Sequence, residues 1–236
     1  MEEDNICVSG INPEEDTLID AFDAYAVECE SALDITLVRI KNVQRHMRRL
    51  SGGNPFDRIE ARLKTFESTI DKCRRRNYEE SIESIREHIC DIAGIRIVTK
   101  YKDEIAIVAN LIEHIPGINI VKRKDYVANP KENGYSSLHL GCQVEIYTPA
   151  GGKLIPVEIQ IRSKSMNLWA SIEHDIKYKR AHPDPRVEGY FKRIARILDE
   201  FDEVSMELRD YSAKYDLVAD INEDSATGDF PIASAP

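Results

Sequence analysis

The chain has 236 residues, 42% apolar and 31% charged, with a net charge of −10, a length that suits one generous domain or a core with helical extensions. No apolar run approaches the roughly 18 residues that span a bilayer and no basic-then-apolar leader opens the chain, so a soluble, cytoplasmic protein is expected. The acidic balance argues against an extended nucleic-acid face, although a local basic pocket can still hold phosphate, and Cys7, Cys29, Cys73, Cys90 and Cys142, dispersed and without a C-x-x-C pair, suggest reduced structural thiols.

Residues 1–14 lack apolar periodicity and are expected to be disordered. Over 15–50, Leu18, Phe22, Tyr25, Cys29, Leu33, Leu37, Ile40, Val43 and Met47 recur every three or four positions, the pattern of a long amphipathic helical extension. Ser51-Gly52-Gly53-Asn54-Pro55 breaks it, and the core is expected over 51–180. Basic residues then concentrate from Arg58 to Arg76: Arg62 and Lys64 lie two apart, Ser68 and Lys72 one helical turn apart, Lys72 and Arg75 three apart. A helix beginning near Ser68 offers free amides, a hydroxyl and a lysine to a polyphosphate; a solvated basic face is the alternative.

Asp91 stands just before a short strand marked by Ile95 and Ile97, and a helix with Ile105, Val108, Leu111 and Ile112 follows. Residues 122–139 read as a loop in which Gly134 beside Tyr135 suggests a presented ring, able to stack on a base, against the commoner core tyrosine. Leu138, Leu140, Cys142, Val144 and Ile146 alternate with polar residues, Pro149-Ala150-Gly151-Gly152 turns the chain, and the stretch from Leu154 to Arg162 completes an antiparallel hairpin. Glu158, Gln160 and Arg162 share one face of its second strand while Val157, Ile159 and Ile161 share the other. Taken alone, either carboxylate has a bland reading, Asp91 as a cap and Glu158 on a wet strand face. Together they offer what magnesium prefers, one or two carboxylates with the other positions left to water and phosphate.

A helix from Met166 towards Lys179 is interrupted by Pro183 and Pro185. A last helix covers about Val187 to Tyr215 in a C-terminal helical region over 181–218, and the acidic tail over 219–236 is expected to be disordered.

Four segments, Asp91 to Arg96, Lys131 to His139, Val157 to Arg162 and Met166 to Lys179, resemble in order and spacing the synthetase domain of RelA/SpoT-type alarmone synthetases, the small ones in particular. The resemblance covers about residues 40 to 205. It implies an α+β fold with a mixed, mainly antiparallel five-stranded sheet flanked by helices, and transfer of a diphosphate from ATP to the 3′-hydroxyl of GDP, GTP or GMP. It further implies Asp91 and Glu158 as catalytic magnesium ligands, Arg62 and Arg96 around adenine, and Lys64, Ser68, Lys72, Arg75 and Lys124 on the ATP phosphates. On the acceptor side it implies Tyr135 stacked on guanine, Asn167 near the base or ribose, and Lys131, His139, Gln160 and Arg162 on phosphates and sugar. A homo-oligomer, a tetramer through terminal helices, is implied as well.

Two departures stand out: Ser136 follows Tyr135 where the family commonly carries arginine or another long polar residue, which bears on acceptor preference, and the terminal helices are longer than the minimal member requires. The hydrolase of the family's long members needs a large helical metal-binding domain that is not expected here, and His174-Asp175 falls within the synthetase's own helix. Two other readings remain: the same chemistry on the 3′ end of tRNA, with Arg180, Arg186, Lys192, Arg193 and Arg196 as a basic patch interleaved with acids, and a catalytically silent module that binds guanine nucleotide or RNA.

Overall fold

The structure, a computed structural model of the chain, describes residues 13–50, 53–178 and 185–226. Helix α1 (Pro13–Met47) is followed by β1 (Phe56–Leu63), α2 (Phe66–Arg76), α3 (Ile82–His88), β2 (Ala93–Thr99), α4 (Glu104–Glu113), β3 (Asn119–Asp125), β4 (Leu138–Thr148), β5 (Gly151–Ser163), α5 (Lys164–Tyr178) and α6 (Pro185–Ala226). The five strands form one sheet in the order β1-β2-β5-β4-β3. Only β2 and β5 run parallel, and every other pair is antiparallel. This is the mixed, mainly antiparallel α+β sheet expected from the sequence.

Period-two alternation divides the sheet into two chemically opposite faces. Ala93, Ile95 and Ile97 of β2, Leu138, Leu140, Cys142, Val144 and Ile146 of β4, and Ile155, Val157, Ile159 and Ile161 of β5 are buried on one of them. Against that face lies α1, which buries Phe22, Tyr25, Cys29, Leu33 and Ile40 at the spacing read from the sequence. The opposite face carries Arg96, His139, Glu158, Gln160 and Arg162, and it is left open for chemistry. The β4–β5 hairpin closes on Pro149 and Ala150, with Thr148 opposite Gly151.

Several boundaries differ from the sequence reading. Strand β1 overlaps the stretch read only as a basic cluster, and β3 runs into the start of the segment read as a loop. Both are edge strands whose outward residues are charged, so neither shows the apolar alternation that marks an inner strand. Helix α6 continues to Ala226, through eight residues assigned to the acidic tail. An acidic, small-residue composition does not preclude helix there, because elongating an existing helix satisfies its own backbone. Residues 1–12 and 227–236, with the expected disorder in them, and Cys7 lie outside the described residues. Cys29, Cys73 and Cys142 are buried free thiols and Cys90 is exposed; burial pushes Cys142 up to about 12. Among the described residues no helix is long and apolar enough to cross a membrane.

Candidate active site

The site grows from the end of β1. Lys64 donates its backbone N–H to Ile92 O at 2.9 Å, stitching that end to the turn that carries Asp91. Thr65 then caps α2, accepting from the Ser68 amide at 3.3 Å. Helix α2 therefore starts two residues before Ser68, and the Ser68 amide is engaged by the cap rather than free for a ligand. One turn on, Lys72 reaches back. Lys64 Nζ lies 2.6 Å from one Asp91 oxygen and Lys72 Nζ 2.7 Å from the other. Burial alone would raise the Asp91 carboxyl; the two lysines more than offset it and hold it below the ordinary range.

Arg62 on β1 lies opposite Gly94 of β2, so Arg96, two residues along, is its diagonal neighbour on the same face. Burial, with the charges of Arg162 and Arg62 beside it, depresses Arg96. Glu60 stands 3.6 Å from its guanidinium, and its buried Nε has no partner.

On the other side of the cleft, side chains from β4, β5 and the preceding loop close into a ring of hydrogen bonds. Gln160 Nε2 donates to Glu158 Oε2 at 2.7 Å, and Arg162 Nη2 donates to Gln160 Oε1 at 2.7 Å and to the Tyr135 hydroxyl at 2.8 Å. His139 Nε2 is 2.8 Å from that hydroxyl, and its Nδ1 is 3.4 Å from Glu158 Oε1. The Tyr135 hydroxyl also donates to Ser137 Oγ at 3.3 Å, and the His139 tautomer with its proton on Nδ1 donates it to Glu158. Burial would raise Glu158, but the hydrogen bonds from His139 and Gln160 hold it below its ordinary range, against a smaller upward push from Asp91. Lys131 Nζ lies 4.7 Å from the Tyr126 ring centre and 4.6 Å from that of Tyr135, a cation–π arrangement. Burial, then the charge of Lys124, depresses this lysine.

The two halves meet in a cleft of about 210 Å³ lined by Arg62, Asp91, Arg96, Glu158 and Gln160, with Glu60 at its edge. Among the described residues no cluster of three or more His, Cys, Asp or Glu could hold a metal by itself. Two carboxylates in one cleft, with lysines at hand, are nonetheless the donor set that suits magnesium arriving with phosphate oxygens.

Arg75 is exposed and donates to the Asp71 carbonyl at 3.2 Å, and Lys124 sits on edge strand β3 opposite His139. Asn167 keeps a buried Oδ1 without a partner, outside the ring around Tyr135. His174 and Asp175 are exposed on α5. Arg186, Lys192, Arg193 and Arg196 are exposed on α6, and Arg180 lies outside the described residues. Sequence reading missed Glu60 and Tyr126. Glu60 shares the period-two face of Arg62 once β1 is seen as a strand, whereas nothing local marks Tyr126, whose role comes from rings brought together by the fold. A second cleft, of about 420 Å³ between α1, α3 and the far end of the hairpin, holds Glu28 already paired with Lys153 and Arg86.

Residues 61–183 match the family model described as a region found in RelA / SpoT proteins. The GTP pyrophosphokinase YwaC of Bacillus subtilis is 35% identical over 173 residues, 73% of this chain and 82% of its own length. YjbM, a GTP pyrophosphokinase of the same organism, is 31% identical over 190 residues, 80% of this chain and 88% of its own. The crystal structure of small alarmone synthetase 1 from Bacillus subtilis bound to its product pppGpp superposes with a TM-score of 0.75 at 30% identity, covering 80% of this chain and 97% of that one. The same enzyme bound to AMPCPP gives a TM-score of 0.69 at 26% identity, covering 81% and 97%. On its matched core and its sheet, the chain belongs to the RelA/SpoT family.

Proposed function

We propose that this chain is a (p)ppGpp synthetase, transferring the β,γ-diphosphate of ATP to the ribose 3′-hydroxyl of GDP or GTP, with GMP as a third acceptor, and releasing AMP in the cytoplasm. The observation that carries the reading is the position of Glu158: it shares a cleft with Asp91, Arg62 and Arg96, and it closes the ring that holds Tyr135. Donor and acceptor would meet at that carboxylate.

Arg62 and Arg96 would clamp adenine between planar guanidinium groups. Lys64 and Lys72, which neutralise Asp91 in the free protein, would turn to the triphosphate together with Ser68, Arg75 and Lys124. Tyr135 would stack on guanine with Asn167 nearby, while Lys131, Gln160 and Arg162 would hold the acceptor's phosphates and sugar. Magnesium, held by Asp91 and Glu158, would supply neutralisation of phosphate charge and polarisation of the β-phosphorus. Glu158 also accepts the proton of the 3′-hydroxyl, oriented for it by His139. The O3′–Pβ bond forms, the bond from Pβ to the oxygen bridging Pα breaks, and AMP leaves with that oxygen. Positioning and charge neutralisation dominate such a transfer.

Self-association is proposed through α6. Ile197, Phe201, Val204, Leu208, Tyr211 and Tyr215 alternate in steps of four and three and are each more than half exposed, an a/d seam sustained over nearly three heptads. Pairing it with a second copy would cover these exposed apolar side chains; the family resemblance extends this to a tetramer. Incubating labelled ATP and magnesium with GDP, GTP, GMP or deacylated tRNA, with Glu158→Gln as control, tests the reading: label on a free guanine nucleotide supports it, and label on tRNA alone replaces it.

A further inference from the structure

Immediately behind Tyr135, the turn from Lys131 to Tyr135 closes on itself through Gly134 N–H to Lys131 O at 2.8 Å and Lys131 N–H to Tyr135 O at 3.0 Å. It therefore moves as a unit. Its rear rests on α6: Gly134 has φ +90°, and a Cβ there would lie 2.5 Å from Ala195 Cβ, 3.5 Å from Phe191 O and 3.6 Å from Trp169 Nε1. A Cβ at Gly134 cannot be added without a shift, and the branched bulk of a valine at 195 would press on the same contact.

Beside the ion pairs of Asp199 with Lys102 and Arg209 with Asp103, two contacts anchor α6 next to this turn. Trp169 Nε1 donates to Phe191 O at 3.1 Å. Asp202, buried, accepts from Ser163 at 2.7 Å and also from Ser165. Ser163 directly follows Arg162, whose guanidinium donates to the Tyr135 hydroxyl. The same helix thus backs both partners of the Arg162–Tyr135 bond, one through Asp202 and the other through Ala195. Helix α6 begins after residue 183, where the match to the family ends.

We infer that α6 is the back wall of the acceptor subsite and that Ala195 is a positioning residue, setting through Gly134 where the Tyr135 ring stands for an incoming guanine nucleotide. This rests on the reading of Tyr135 as the guanine platform. Ser136 lines the same crevice between loop and helix, so the position at which this chain departs from the family's usual pattern also faces the wall.

The chain's one tryptophan, Trp169, lies 6.0 Å from Tyr135 and 5.5 Å from Phe191, ring centre to ring centre, so its fluorescence reports on this junction. The test measures KM for ATP and for GDP, and GDP binding by Trp169 fluorescence, in Ala195→Val and Ala195→Ser. The expected result for valine is a rise of about ten-fold or more in the KM and Kd for GDP, with KM for ATP within about two-fold, as displacement of a substrate-positioning group implies. Serine, close to alanine in size, should stay near wild type. A merely unfolded fraction would lower kcat and leave KM alone. Should the valine variant fail to fold, Asp202→Ala, which releases the second anchor, is expected to show the same acceptor-selective loss. Equal rises for both substrates, or no rise in a folded Ala195→Val or Asp202→Ala variant, would overturn the inference. If the wild type transfers nothing to GDP the proposed function fails instead, and the fluorescence titration still tests the wall.

Discussion

His139 spans Tyr135 and Glu158, with one ring nitrogen 2.8 Å from the tyrosine hydroxyl and the other 3.4 Å from the carboxylate. The proposed guanine platform and the proposed proton acceptor are thereby parts of one hydrogen-bonded unit. The hydrogen bond from His139 favours the charged form of Glu158 and helps to hold its carboxyl below the ordinary range. Removing it raises that pKa, so less of the carboxylate is ionised at a given acidic pH. His139→Ala should therefore move the acidic limb of the kcat/KM profile to higher pH; an unmoved limb would mean that another group sets it.

Tyr135 combines a ring and a hydroxyl with separable duties. Tyr135→Ala removes the stacking surface, worth about 1 to 3 kcal/mol per base, and should weaken GDP binding by roughly 5- to 150-fold. Tyr135→Phe keeps the ring and loses the bonds to Arg162 and His139, a loss of about 1 kcal/mol. Binding isotherms for GDP should rank wild type, Phe and Ala in that order.

Asp91 is flanked by two lysines and serves structure as well as its proposed chemistry. Its depressed carboxyl contributes stability that is present above its unfolded pKa and is lost as pH falls through the folded one. Asp91→Asn leaves Lys64 and Lys72 facing each other without a carboxylate and should cost about 1 to 2 kcal/mol near neutral pH, discounted for partial exposure. Urea unfolding measures this. Diphosphate transfer should fall on the order of 10²-fold or more, and chelating magnesium from the wild type should silence transfer without altering the urea midpoint.

The unpartnered seam of α6 predicts that Phe201→Lys with Leu208→Lys, both at exposed positions, yields monomers by light scattering without loss of helicity. An unchanged mass would assign self-association to another surface.

The central sheet was legible because β2, β4 and β5 bury one face completely and so alternate cleanly. Edge strands β1 and β3 were not, since neither buries a full face and the residues they present are charged. The seven-residue helix α3 is too short for periodicity to emerge. Asp91 and Glu158 stood out as a pair by charge and by resemblance. The two lysines on Asp91, the ring through His139 and the contact of Gly134 with Ala195 were invisible, because each joins residues that only the sheet and the two C-terminal helices bring together. Local spacing carries no record of contacts between distant segments.

The most direct test of the central claim follows labelled diphosphate from ATP onto GDP by thin-layer separation, with wild type and Glu158→Gln side by side. Wild type should yield AMP and a guanosine bearing a 3′-diphosphate, and the variant should fall on the order of 10²-fold or more in rate. Transfer undiminished in the variant, or none to any guanine nucleotide by the folded wild type, would contradict the account.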